Sequence, residues 1–499
     1  MTNMLLLTIF LPFVITLVIL LLGEKRIYAR NGILMAISIF EFVVVLSHSQ
    51  AVLAGKLSPM TLADLDFFTL TFNVDPLSLL LGSLISFLWI FTTSYSIGYM
   101  SGEHALVRYF SSLTVCLGAT MGIIFSANLM TFFIFYEILT IAVYPLVIHE
   151  ETEEAYRAGV VYMVYLLSGG TLVFFGIILT YYLSGGNITF TIGGIPQLVK
   201  ASPAMLYLLL FLFSAGFGVK AAIIPLHVWL PRAMVAPTPV SALLHAVAVV
   251  NMGLYAFIRM IYNIFGPALF AHLKMNNILA VPAVFTIILA AIAALRMDKI
   301  KKLLAYSTIN QLSYVILGAS SLHPIALLGA LVHLVYHSVM KITLFYSAGT
   351  IIKRTGKTKI REMSGLAKTM PVACAGFAIG ALGISGLPPI AGWVSKWYFV
   401  KGFLELERPW LGAVFIISTI LEIGFFAPPV LYAYFGGNIG SQQVQENKHT
   451  NADDDCRFEA PLDMLIPLAV VTILSVTFGL FGSLPFVFGR AAINSLLPK

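Results

Sequence analysis

The sequence predicts an all-α integral membrane protein with about fourteen transmembrane helices, arranged as two inverted five-helix repeats that each carry one broken helix. Three observations lead there. Of 499 residues, 59% are hydrophobic and only 10% charged, with a mean hydropathy of +0.94, whereas a soluble domain carries about 25% charged residues. Apolar runs recur along the whole chain, each of roughly 20 residues and so long enough to cross a hydrocarbon layer of ~30 Å as a helix. Two of the runs carry proline in their middle, Pro225 with Pro231 and Pro388 with Pro389. Proline frees backbone carbonyls that lipid cannot satisfy, so such breaks face protein or water. A membrane β-barrel would instead alternate over segments of about 10 residues.

The runs lie at residues 4 to 23, 31 to 54, 76 to 98, 108 to 126, 128 to 149, 157 to 183, 204 to 230, 237 to 265, 277 to 295, 303 to 320, 324 to 350, 371 to 402, 410 to 436 and 461 to 488. No basic stretch precedes the first run and no small-residue cleavage site follows it before Glu24, so it reads as a span and not as a leader. The two proline breaks stand five spans apart, each near a lysine, Lys220 and Lys396. That spacing divides the chain into 1–107 (helices 1 to 3), 108–265 (first repeat, helices 4 to 8), 277–436 (second repeat, helices 9 to 13) and 437–499 (a cytoplasmic loop and the last helix). Inverted repeats with a broken helix in each are a transporter design.

Of the 29 Lys and Arg, 18 fall in alternate loops on one side, 7 on the other and 4 within spans (Lys220, Lys341, Lys396, Lys401). The positive-inside rule makes the richer side cytoplasmic and puts both termini outside. The net charge of +7 then reflects anchoring at that face, and nucleic-acid binding is not implied. Cys116, Cys374 and Cys456 are scattered, without the paired spacing of a metal, iron–sulfur or disulfide framework. No cofactor is expected.

A charge near the bilayer centre costs ~2.5 to 3.5 kcal/mol on insertion scales, so each one needs a reason. Glu137, in MTFFIFYEILTIAVYPL, has no basic neighbour in sequence, and Lys220, in FSAGFGVKAAIIPLHVWLP, is the natural partner. The pair reads as two groups whose proton affinities respond to each other, or alternatively as a static bridge between helices. His333, His337 and Lys341, in LVHLVYHSVMKITLF, recur every four residues and share one helix face. Imidazole titrates near neutrality and both donates and accepts, so the stripe suits a proton relay. Two histidines four apart could also ligate haem or a metal, but acidic or cysteine companions are lacking. His245, in SALLHAVAVVNMGLYAF, is a lone histidine between the first break and the second half, a relay group or a satisfied core residue. Lys396, in ISGLPPIAGWVSKWYFVKG, follows the second break and either ends the relay near one surface or snorkels. Glu422 and Glu41 are further intramembrane acids, functional or in contact with a neighbouring subunit. Asp75 begins a span and reads as its cap. The basic segment from Lys353 to Lys368 reads as an anchoring or docking surface, and the polar loop from Asn447 to Glu459 as solvated and partly mobile.

The segments FFIFYEILTIAVYPL, FGVKAAIIPLHVWLPRAMVAPTPVSALLHAVAVV, DKIKKLLAYSTINQLSYVILG, HSVMKITLFYSAG and GISGLPPIAGWVSK resemble the antiporter-like subunits of respiratory complex I, of Mrp-type cation/proton antiporters and of membrane-bound hydrogenases. The resemblance runs from about Asp75 to Phe435. It implies fourteen helices around a polar axis, with Glu137 and Lys220 as the family's charged pair and His333, His337, Lys341 and Lys396 as its relay and terminal groups. Where many members place a lysine after the small-residue stretch of the eighth span, this chain has Asn251. A neutral amide holds no proton at pH 7, so a route between the halves would use His245 or water. Lys396 and the wording LHAVAVV are closer to the Mrp and hydrogenase branch. Members contain no nicotinamide, flavin or quinone chemistry of their own and work with other membrane subunits, moving H⁺ or Na⁺. The expected role is therefore a proton- or cation-translocating subunit without a catalytic centre. Protons would enter by the first broken helix, reach Lys220, pass His245 and the His333, His337 and Lys341 stripe, and leave beside Lys396. A stand-alone secondary solute transporter and a non-conducting scaffold are the competing expectations.

Overall fold

The structure, a computed structural model, describes residues 2–56, 59–65, 68–436 and 459–497. The polar loop expected from Asn447 to Glu459, with Cys456 in it, lies outside the described residues except for Glu459 itself.

The helices are α1 (Thr2–Leu22), α2 (Ile27–Ser47), α3 (Pro76–Tyr99), α4 (Leu106–Phe125), α5 (Leu129–Val147), α6 (Glu153–Ser184), α7 (Pro203–Lys220) and α8 (Thr238–Phe265). They continue as α9 (Met275–Leu295), α10 (Ile300–Ser320), α11 (Pro324–Thr355), α12 (Pro371–Ile384), α13 (Gly392–Glu405), α14 (Pro409–Phe435), α15 (Leu462–Leu480) and α16 (Ser483–Leu496). Among the described residues, one antiparallel strand pair, β1 (Met60–Leu65) and β2 (Phe68–Phe72), precedes α3. It lies where the sequence pattern indicates only a loop.

Every predicted span contains helix, with the runs 204 to 230 and 371 to 402 interrupted after Lys220 and Ile384. Twelve helices among the described residues are long and apolar enough to cross a membrane, and the chain is a multi-pass, all-α membrane protein. The two predicted spans outside that set are informative. One is α10, whose buried Ser307, Thr308, Asn310, Gln311 and Ser313 lower its hydropathy. The other is interrupted, as α12 and α13. The predicted last span is likewise two pieces, α15 and α16.

Local chemistry sets the ends. Asp75, Asn128, Thr152 and Ser202 cap α3, α5, α6 and α7 by accepting a backbone N–H one turn on, which serves donors that hydrocarbon would leave unpaired. Within the spans, hydroxyls of Thr114, Thr120 and Thr180 donate to the carbonyl four residues back, so they need no partner elsewhere.

The breaks do not begin at the prolines themselves. α7 ends at Lys220, Ala222 turns to φ +57°, and the N–H of Ile223 donates to Gly218 O at 2.9 Å. α12 ends at Ile384, Gly386 turns to φ +74°, and Leu387 N–H donates to Leu382 O at 3.0 Å. Each is a left-handed helix stop with a bond from the residue after the left-handed position back to the last turn. In both, proline follows three residues after the left-handed position, at Pro225 and Pro389, and prevents the helix from resuming.

α8 and α11 form the axis of the molecule: every residue of α8 is buried and nearly all of α11, whereas only a third of α1 and α14 is. Apolar faces of the outer helices, with Leu17, Leu21, Phe211, Phe285 and Ile420 exposed, are left to lipid.

Candidate translocation axis

In the first half, α5, α6, α7 and α8 bring Glu137 and Lys220 to the same region, but not as the closed pair the sequence suggests. Lys220 is fully buried at the last turn of α7. Its Nζ donates to Tyr136 O at 2.8 Å and Thr140 Oγ1 at 3.1 Å and lies 3.2 Å from the Tyr136 ring centre. No Glu137–Lys220 contact within ion-pair distance occurs among the described residues. Glu137 instead turns toward α6, where Gly170 leaves room for it: a Cβ there would lie 2.7 Å from the Glu137 carboxyl carbon. The reason is geometric. Tyr136 and Thr140 sit on the buried face of α5 toward α7, while Glu137, next to Tyr136, is rotated ~100° away. The lysine therefore satisfies its donors on α5 backbone and hydroxyl, and the Glu137 Oε1 atom has no protein partner.

The end of α7 touches α8 closely. Gly253 allows this, since a Cβ there would come within 2.9 Å of the Lys220 carbonyl carbon. Two residues earlier, Asn251 Nδ2 donates to Ala246 O at 2.8 Å and to Ser338 Oγ at 3.1 Å, joining α8 to α11 beside His337. This amide thus ties the two axial helices together. His245 stacks on Phe345 of α11 at 4.9 Å, one turn beyond Lys341, and neither ring nitrogen has a protein partner.

On α11 the predicted stripe is present and wholly buried. Lys341 Nζ donates to Leu304 O at 3.2 Å and to Ser307 Oγ on α10. The rings of His333 and His337 stack with centroids 6.1 Å apart. His333 Nδ1 meets Ser395 Oγ at 2.9 Å, the residue before Lys396. The Nε2 atoms of both histidines have no protein partner. Buried polar atoms without protein partners are those that ordered water serves, and Glu137, His245, His337 and His333 each present at least one.

Lys396 corrects one expectation. It does not snorkel: it is buried and bridges Glu422 at 2.5 Å, with Thr419 Oγ1 at 3.1 Å. Glu422, fully buried, faces inward and is not a contact for a neighbouring subunit. Its other oxygen accepts from Gln311 Nε2 at 2.6 Å and Tyr314 OH at 2.7 Å. Glu41, on α2, is equally buried and so does not face a neighbouring subunit either. Neither of its oxygens has a protein partner, and it stands apart from the axis.

Asp75 does more than cap. Its Oδ1 holds Ser78 N–H, and its Oδ2 pairs at 2.5 Å with Arg259. Arg259, inside the predicted run 237 to 265, lies buried in α8 and is bonded also to Tyr255 and Asn263. At the opposite, basic face, a cavity of about 940 Å³ opens between Glu150, Glu153, Arg232, Ala236, Lys299 and Lys301, with Lys301 Nζ donating to Ala236 O at 2.5 Å. Lys353, in the last turn of α11 where the basic segment begins, bridges Glu103. No cluster of three or more His, Cys, Asp or Glu able to hold a metal occurs among the described residues.

Residues 126–422 match the family described as NADH:quinone oxidoreductase/Mrp antiporter, transmembrane. The chain belongs to this family. NADH-quinone oxidoreductase subunit N of Desulforudis audaxviator is 30% identical over 82% of this chain and 81% of its own length. A Na(+)/H(+) antiporter subunit of Bacillus subtilis is 29% identical over 81% of this chain, but the match spans only 52% of that protein, so the chain spans about half the length of such relatives. Among solved structures, the Mrp complex from Dietzia sp. DQ12-45-1b holds one polypeptide that superposes with a TM-score of 0.85 at 20% identity, covering 99% of this chain and 98% of that one. One polypeptide of the membrane-bound sulfane sulfur reductase, an archaeal respiratory membrane complex, gives 0.86 at 21% identity, covering 99% and 97%. These two establish the fold.

Proposed function

We propose that this chain is the proton- or cation-translocating, antiporter-like subunit of a multisubunit energy-converting membrane complex. Its relatives are named as subunits of Na(+)/H(+) antiporters and of NADH-quinone oxidoreductase. The observation that carries the reading is the set of polar groups within the membrane-spanning helices, Glu137 with Lys220, His245 and Asn251 on α8, and Lys341, His337, His333 and Lys396, of which all but Glu137 are buried. Burying these groups costs free energy that a purely structural core avoids.

The helices support two inverted repeats, α4–α8 and α9–α14. Lengths correspond in order: 20 and 21 residues, 19 and 21, 32 and 32, a broken helix in each, then 28 and 27. An odd number of crossings per repeat makes the second run opposite to the first. On the positive-inside rule the face bearing Lys299, Lys301 and Lys353 is cytoplasmic and both termini are outside. The cavity there gives water access beside the first broken helix.

In this mechanism Lys220 receives the proton, and Glu137 sets how firmly it is held. When the two approach, the ammonium is favoured; when Glu137 lies against Gly170, the proton can pass by His245 and water to Lys341 and the histidines. Asn251 orients the crossing without carrying a proton. Driving force comes from a neighbouring subunit. Replacing Glu137 with Ala abolishes coupled transport while the complex still assembles; normal transport in that variant contradicts the proposal.

A further inference from the structure

We infer that Lys396, Glu422 and Tyr314 form a second ion-pair switch, confined to the second half of the molecule and working in the opposite phase to Glu137 and Lys220. The inference rests on the translocating role proposed above and assigns Glu422 and Tyr314 a part in it.

The two halves hold their charges in different ways. In the first, lysine and glutamate are apart, the lysine on Tyr136 O and Thr140, the glutamate against Gly170. In the second they are closed, with Lys396 Nζ on Glu422 Oε2 at 2.5 Å. The free oxygen of Glu422 is saturated by Gln311, Tyr314 and, at 3.3 Å, Ser418. Asn310 braces Ser418 in turn at 2.7 Å. A buried pair is held only when geometry and added hydrogen bonds offset desolvation, and this one has four donors on one carboxylate.

Position in the repeat sharpens the comparison. Glu422 is the fourteenth residue of α14, and Asn251 is the fourteenth of α8. One repeat thus carries a neutral amide where the other carries an acid. The first half takes its acid from α5, and the second takes it from α14.

Tyr314 connects the pair to the relay. Its hydroxyl donates to Glu422, its ring centre lies 5.4 Å from Lys396 Nζ, and its ring is 5.6 Å from that of His333. His333 in turn meets Ser395 beside Lys396. The titratable groups facing the pair are therefore Tyr314 from α10, and His333 and, one turn past Glu422 at Phe426, Lys341 from α11. In the closed state Lys396 keeps its proton. Opening the pair leaves Glu422 on Gln311 and Tyr314, and Lys396 free to give its proton to water or His333.

The test is proton flux against pH in vesicles bearing the assembled complex, comparing Glu422→Gln, Glu422→Asp, Tyr314→Phe and the double variant Glu422→Gln with Lys396→Met. Assembly is checked for each by native gel. The switch predicts at least a tenfold loss for Glu422→Gln, partial recovery with Asp, a displaced pH profile for Tyr314→Phe, and no recovery in the double variant. A pair that only fastens α13 to α14 gives the reverse: the double variant, with no unpaired buried charge, regains flux. Wild-type flux and pH profile in Glu422→Gln also overturn the inference. Lys220→Ala, measured alongside, separates the two levels. If it abolishes flux while the α14 variants do not, only this inference fails; if it too is silent, the translocating role fails.

Discussion

Gly170 offers a way to perturb Glu137 without touching a titratable group. A methyl group at Gly170 would lie 2.7 Å from the Glu137 carboxyl carbon, where carbon contacts settle at about 3.5 to 4.0 Å. The carboxylate must then move by about 1 Å, either toward Lys220 or into an off-rotamer position. Such a departure costs ~0.5 to 1.5 kcal/mol, which as a barrier corresponds to a rate change of about 2- to 12-fold. Gly170→Ala is therefore expected to lower coupled proton flux by that factor. The control is Gly176→Ala on the same helix, whose added carbon meets the Phe213 ring first, at 2.7 Å. It loads the α6–α7 contact comparably but leaves Glu137 alone. Flux per assembled complex, from dye quenching in vesicles normalised to subunit content, reads the difference. Equal flux in the two variants, or wild-type flux in Gly170→Ala, would refute the placement of Glu137 in the path.

Two further predictions concern the faces. Asp75→Asn leaves Arg259 with Tyr255 and Asn263 but no counter-charge, and breaking a buried pair costs about 3 to 5 kcal/mol; the melting temperature of the solubilised complex should fall, and an unchanged value would show the pair to be dispensable. His149, buried between α5 and α6 and facing His104 and Arg108, has its imidazole pushed from 6.5 down to about 4, first by desolvation and then by those neighbours. The unfolded chain takes up this proton first, so the contribution is intact above pH 6.5 and is lost as pH falls toward 4. His149→Gln should lose less stability than wild type over that interval, as followed by thermal unfolding at each pH; parallel losses would exclude His149.

What the sequence makes legible follows from the range of the forces involved. Apolar runs report membrane burial directly, so the twelve long apolar helices could be read. The spacing of four among His333, His337 and Lys341 places them on one face whatever surrounds the helix. Pairings across helices are different. Glu137 and Lys220 come to the same region without pairing, because which residue on α5 the ammonium touches depends on helix rotation, and Tyr136 O and Thr140 win. Lys396 with Glu422, and Asp75 with Arg259, join residues on separate helices, and only packing brings them together. The counterparts at Gln311 and Tyr314 carry no charge, so nothing in the sequence marked them apart from the unusual polarity of α10.

The central claim is that Lys220 lies on, or controls, a path for protons through this subunit. The direct measurement is cation-dependent proton flux in inside-out vesicles carrying the assembled complex, wild type against Lys220→Ala. Flux that collapses while the complex stays intact is the predicted result. Flux that persists unchanged would mean that the ions travel elsewhere and that this chain serves its complex as a scaffold.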